Sequence, residues 1–104
     1  MKGKKNIPIV IAEGKLVLQL YVCGMSQKSM EAIENIQKLC SSLLEDSFQL
    51  EIVDLYKHPE LASQQQIVFS PSLIKRLPLP KKTLVGTFAD SAKVIRGLGI
   101  TIKE

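Results

Sequence analysis

Ser70-Pro71-Ser72-Leu73, running on through Leu77-Pro78-Leu79-Pro80 to Gly86, is the stretch on which the fold turns. Pro71, Pro78 and Pro80 crowd into its middle. An X-Pro bond prefers trans by only about 0.5–1 kcal/mol and isomerises slowly. The stretch therefore has more backbone isomers open to it than any other part of the chain, which reads as a regulator rather than a catalyst. Its local signals disagree. Ile67-Val68-Phe69 enters it as a strand that Pro71 stops, yet Leu73, Ile74 and Leu77 sit at helical spacing, so Ile67 to Leu77 would also serve as a helix. Such a conflict marks strain, function or a second conformation.

Upstream the signals agree. Leu16 to Val22 is apolar and β-branched with Gln19 as its one polar residue, the pattern of a central strand buried on both faces. Gly24 ends it. Ser26 or Ser29 caps a helix whose apolar stripe is Met30, Ile33, Ile36, Cys40, Leu43 and Leu44, with Glu31, Glu34, Gln37, Lys38 and Ser41 on the wet side. The helix is expected to reach about Glu45 and turn at Asp46-Ser47. Phe48 to Asp54 alternates as a second strand. A strand, a long helix and a strand make a βαβ unit with parallel strands and a right-handed crossover.

A short helix is expected over Pro59 to Gln66, with Pro59 in its first turn. Downstream, Thr83 to Phe88 reads as a strand. Asp90 caps a helix over Ser91 to Leu98 that turns Val94, Ile95 and Leu98 inward, and Gly97 and Gly99 weaken its end. The order is β-α-β, a short α, then β-β-α. This α/β order resembles that of thioredoxin-like domains, which place a proline turn at this point. Residues 1–14 read as a leader with a disordered tip, in which Ile7 to Ile11 adds an edge strand. Residues 15–104 form a single domain.

At 104 residues, 45% hydrophobic and 23% charged, the chain has the balance of a soluble globular protein. The net charge of +4 includes Lys2, Lys4 and Lys5; without them the body stands near +1. Aromatic residues are sparse and not interleaved with Lys or Arg, so no nucleic-acid surface is expected. The run Ile7 to Ala12 is too short for a signal peptide, and no stretch approaches the ~20 apolar residues of a membrane span. Two cysteines do not make a disulfide scaffold and fit a reducing cytoplasm.

Cys23 follows the first strand and precedes the long helix, in Cys23-Gly24-Met25-Ser26. A helix N-terminus favours thiolate, which makes Cys23 a candidate monothiol redox site. With Ser26 where a resolving cysteine would stand, a small hydrophobe at a strand end is the favoured reading. Cys40 belongs to the core. One histidine, His58, and two distant cysteines do not assemble a zinc site. No phosphate loop and no nucleophile triad is recognisable, so no catalytic residue, metal or cofactor is expected. Lys75, Arg76, Lys81 and Lys82 cluster around the prolines and read as a solvated turn in preference to a partner surface.

Leu18-Gln19-Leu20-Tyr21-Val22-Cys23-Gly24, Ile52-Val53-Asp54-Leu55, Pro59-Glu60-Leu61-Ala62, Ser70-Pro71-Ser72-Leu73, Leu77-Pro78-Leu79-Pro80, Gly86 and Gly97-Leu98, in this order, resemble the KaiB family. The resemblance runs from Leu16 to Ile100. It implies a non-enzymatic, homo-oligomeric regulator, a dimer or tetramer, acting on a KaiC-like hexameric ATPase in clock-related or stress-adaptation signalling. It also implies a thioredoxin-like βαβ core whose second half can adopt an alternative ground-state packing, with the thioredoxin-like form binding the ring. The switch residues would be Pro59, Pro71, Pro78, Pro80, Gly97 and Gly99. The partner-binding residues would be Lys57, Gln66, Lys81 and Lys82. Departures from the family pattern point to a divergent or non-cyanobacterial member: Ser70 and Ser72 flank Pro71 in place of threonines, Lys81-Lys82 replaces an arginine pair, and Gly99 replaces an aspartate. On this resemblance, restoring Asp at 99 favours the ground state. Two other functions fit the sequence: a monothiol redox protein using Cys23, and a self-assembling domain without a ring partner.

Overall fold

The computed structural model describes residues 16–41, 48–67 and 70–99. Its elements are β1 (Leu16–Val22), α1 (Gln27–Leu39), β2 (Phe48–Asp54), α2 (Glu60–Gln64), β3 (Ser72–Leu77), β4 (Lys82–Val85) and α3 (Ser91–Leu98). The sheet runs β2-β1-β3-β4. β1 and β2 are parallel in unbroken register from Leu16↔Phe48 to Val22↔Asp54. β3 lies antiparallel to β1, with a register shift at Val17/Leu18, and β4 is antiparallel to β3.

The strong apolar run suits the place of β1 in the sheet, where β2 and β3 pair both of its edges and a cluster covers each of its faces. Leu16, Leu18, Leu20 and Val22 join Ala32, Ile36, Leu39, Cys40, Leu73, Val94 and Leu98 in a core under α1 and α3. Tyr21 points the other way and joins Val53, Leu55 and Ile74, with Leu61, Ala62 and Ile67 packed against them from the α2 side.

Ser26 caps α1 as one of the two expected serines: its Oγ accepts from the Ser29 N–H at 3.2 Å. The buried stripe is Ser29, Ala32, Ile36 and Leu39. Met30, expected in the stripe, is 47% exposed; the face that meets the sheet is rotated so that small Ser29 and Ala32 let the helix approach it. Leu43, Leu44, Glu45 and the turn at Asp46-Ser47 lie outside the described residues, as do residues 1–14.

The second half corrects three expectations. The strand does not lie at Ile67, and Val68 and Phe69 are outside the described residues; β3 begins after Pro71, at Ser72. An extended β3 sends Leu73 into the α1/α3 core and Ile74 into the opposite cluster, at 0% and 2% exposure. A helix would put both on one side, and this two-sided burial overrides the helical spacing. β4 stops at Val85 rather than Phe88, because Gly86 at φ 136° and Phe88 at φ 62° leave the strand conformation. α2 is a single turn and a half, and Gln66 at φ 57° closes it. The Ser70–Pro71, Leu77–Pro78 and Leu79–Pro80 peptide bonds are cis. Asp90 caps α3 as expected, its Oδ1 accepting from the Lys93 N–H at 3.2 Å, and Gly99 ends that helix in the left-handed region at φ 68°.

Candidate docking face and the Cys23 turn

A short α2 leaves much of its side of the sheet open, and polar side chains occupy what apolar ones do not. Arg76, expected in a solvated turn, is half-buried there. Its Nε donates to Gln19 Oε1 at 2.6 Å and its Nη2 donates to Gln65 Oε1 at 2.6 Å. Tyr21 Oη donates to the same Gln19 oxygen at 3.1 Å, and Gln19 Nε2 reaches Glu51 Oε1 at 2.8 Å. The network ties β2, β1, β3 and α2 into one plate. Charge-assisted bonds from the guanidinium fork make Arg76 its centre.

Beside this plate lies a hollow of about 280 Å³ between α2 and the β3–β4 hairpin, lined by Gln66, Lys81, Ile74, Thr83 and Val85 among others. The structure thus brings together two of the residues named from the sequence. Lys82 does not join them: it pairs with Lys75 in the β3–β4 register and lies beside Gly99, at the end of α3. Lys57 sits apart, in the turn after β2, where its N–H donates to the Asp54 carbonyl at 3.1 Å. From Leu61 to Ala89 the sequence carries Lys75, Arg76, Lys81 and Lys82 and no acidic residue. Neither Gln19 nor Gln65 is marked as a site residue by the sequence; the one polar residue inside an apolar central strand is the signal for Gln19.

The residues that the resemblance assigns to a switch are spread along the chain rather than gathered at one site. Pro59 immediately precedes α2, Pro71 is buried at the start of β3, and Pro78 and Pro80 lie in the β3–β4 turn. Gly97 lets α3 close on β4: a Cβ there would stand 2.7 Å from Leu84 Cδ2.

Cys23 is half-buried at the end of β1. The turn around it is held by Asp54, whose Oδ1 accepts from the Gly24 and Tyr56 N–H groups at 2.9 Å each. Those two bonds hold the Asp54 carboxyl below its usual range. Gly24, at φ 67°, has the Tyr56 ring against it, 2.8 Å from where a Cβ would lie. Met25 and Tyr56 stand out beside it, at 72% and 75% exposure. Both cysteines are free, and they belong to opposite sides of the sheet. Burial pushes the Cys40 thiol up to about 11. Cys23 therefore has no sulfur partner among the described residues, which leaves it without the second thiol of a dithiol exchange. Among those residues no three His, Cys, Asp or Glu side chains gather as a metal site, and no helix is long and apolar enough to cross a membrane.

Residues 19–100 match the family model described as the KaiB domain. The chain belongs to the KaiB family. A similar relative, the circadian clock protein KaiB3 of Synechocystis, is 38% identical over 86 residues, covering 83% of this chain and 84% of the relative. The circadian clock oscillator protein KaiB of Prochlorococcus marinus is 30% identical over 95 residues, covering 91% and 89%. Among solved structures, the N-terminal domain of Synechococcus elongatus SasA superposes with a TM-score of 0.67 at 20% identity, over 93% of this chain and 94% of that one. Chloroplastic thioredoxin z superposes at 0.68 with 13% identity, over 86% and 81%. The fold of this KaiB-family chain is therefore thioredoxin-like, as the element order implied.

Proposed function

We propose that this KaiB-family chain is a non-enzymatic regulatory protein that docks on a KaiC-like hexameric ATPase. The observation that carries this reading is the acid-free stretch from Leu61 to Ala89, which gathers Gln66 and Lys81 at one hollow on the face that also holds Arg76. Family membership supplies the class of partner. Lys81 and Gln66 make the contact, Lys57 and Lys82, which lie outside the hollow, add to the positive charge of the docking form, and the Arg76 plate keeps α2 and β3 in one arrangement. The thioredoxin-like form described above is the docking form. The ground state differs in the second half, and the chain crosses between them by moving α2, the β3–β4 hairpin and α3 past Pro59, Pro71, Pro78, Pro80, Gly97 and Gly99.

The test is co-elution with the KaiC-like ATPase of the same organism, in ATP, sampled over a day. The expected result is slow entry of the chain into the ring fraction, weakened by Lys81→Glu. No entry at any time, with the chain's own oligomer unchanged, would leave the self-assembling reading in its place.

A further inference from the structure

We infer that Lys75, Lys82 and Gly99 form a binding site for a phosphate dianion, either free or as the phosphoryl group of a small metabolite. This site lies on the α1/α3 side of the sheet, away from the hollow at Gln66 and Lys81, and shares Lys82 with the residues proposed for ring docking.

Side chains two apart on a strand share a face. Lys75 therefore points the way Leu73 does, toward the α3 side, although the sequence placed it in a solvated turn. It is 1% exposed. Its cross-strand neighbour on β1 is Leu18, which offers no charge. Its partner on β4 is Lys82, so two ammonium groups face the same gap. Like charges directly opposite across a strand pair repel. Burial, then the neighbouring Lys82, push the Lys75 ammonium below its ordinary range.

The third side of the gap is Gly99, exposed at the end of α3. A Cβ on it would stand 4.0 Å from Lys75 Nζ and 3.9 Å from Lys82 Cε. With no side chain there, no acidic group of the described residues answers both lysines from Gly99. No hydrogen bond or ion pair joins the Lys75 side chain to another described residue. The remaining charges of α3 do not help: Lys93 and Arg96 are positive and exposed, and Asp90 is committed to the cap at the far end of the helix. The Gly99 N–H is taken by the Arg96 and Ile95 carbonyls, which partly satisfies the helix end facing the gap.

A buried ammonium without a counter-charge is costly. With the exposed Lys82 ammonium beside it at the same side-chain-free position, the pair asks for a ligand of charge near −2. Lysine binds phosphate as a point charge and needs no planar fork, so the pair suits a phosphate better than a single carboxylate. Binding stabilises the folded form by mass action.

The experiment is thermal unfolding near neutral pH with increasing inorganic phosphate, against chloride at matched ionic strength, for the wild type, Lys75→Met and Lys82→Ala. The expected result is a saturable rise in Tm for the wild type, with apparent affinity lowered by about tenfold or more in each variant as one of two charge-assisted contacts is lost. Because Lys82 is exposed, Lys82→Ala remains informative even where Lys75→Met does not fold. Glycerol 3-phosphate forms the second arm. A response to both anions assigns the site to phosphoryl groups generally, and a response to inorganic phosphate alone assigns it to the free ion. A rise matched by chloride, or one left unchanged by Lys82→Ala, overturns the proposal.

Discussion

At the scale of single residues, the chemistry of the chain is set by which groups have partners. Asp54 has two N–H donors and a lowered pKa. A carboxylate of this kind adds stability above its unfolded value, and that stability is lost as pH falls through the depressed folded value. Asp54→Ala is expected to flatten the acid limb of the stability profile below about pH 4, read by chemical denaturation at a series of pH values. Lys75 is the opposite case. Its folded pKa is lowered, so between that value and the unfolded one near 10.5 the unfolded chain binds more protons, and stability rises with pH. Lys75→Met should abolish that alkaline rise. The two thiols separate cleanly: Cys40, raised to about 11 and fully buried, should label only on unfolding. Half-buried Cys23 should label in the native protein. Equal rates for the two would show that the core under α1 opens.

At the scale of elements, packing decides what propensity leaves open. Gly97 and Leu84 are the clearest pair, α3 touching β4 through the missing methyl group of a glycine. Gly97→Ala gains about 1 kcal/mol of helix propensity and pushes Leu84 aside. In a Leu84→Ala background the push disappears. A double-mutant cycle should therefore return a coupling of about 0.5 kcal/mol or more, and additivity within error would mean that α3 does not sit on β4 this way. β1, β2 and α3 were legible in the sequence to the residue, because each has one unambiguous pattern: a two-faced apolar run, an alternation, and an Asp cap with inward aliphatics. β3 was not. Leu73 and Ile74 are adjacent apolar residues that serve two different cores, and no local rule says that a neighbouring strand separates them. The same gap hid the site. Lys75 and Arg76 look alike in sequence, but alternation sends one beneath α3 and the other to Gln19 and Gln65. Gln66 and Lys81 were named from family resemblance alone, and their meeting at one hollow is a product of the fold.

For the whole molecule, residue 99 is the most direct probe of the two-state behaviour proposed above. The resemblance leads Gly99→Asp toward the ground state, whereas in the form described here the new carboxylate would lie beside Lys75 and Lys82. Left-handed backbone costs an L-residue roughly 1–2 kcal/mol, less for aspartate, and a counter-ion for a buried ammonium outweighs that. The expected outcome is a higher Tm with an unchanged circular-dichroism spectrum. A changed spectrum with a larger oligomer would show that the other packing gains more.

β1 also has a consequence for how the molecule comes apart. It is paired on one side by β2 and on the other by β3, so it is the seam along which the two halves of the chain are sewn. Undoing the β3 stitches leaves the β1–α1–β2 half paired and strips one long side of β1 bare. Amide exchange should then fall into two classes divided at that strand, slow protons facing β2 and faster ones facing β3. An exchange map with a single class would describe a cloth that tears all at once.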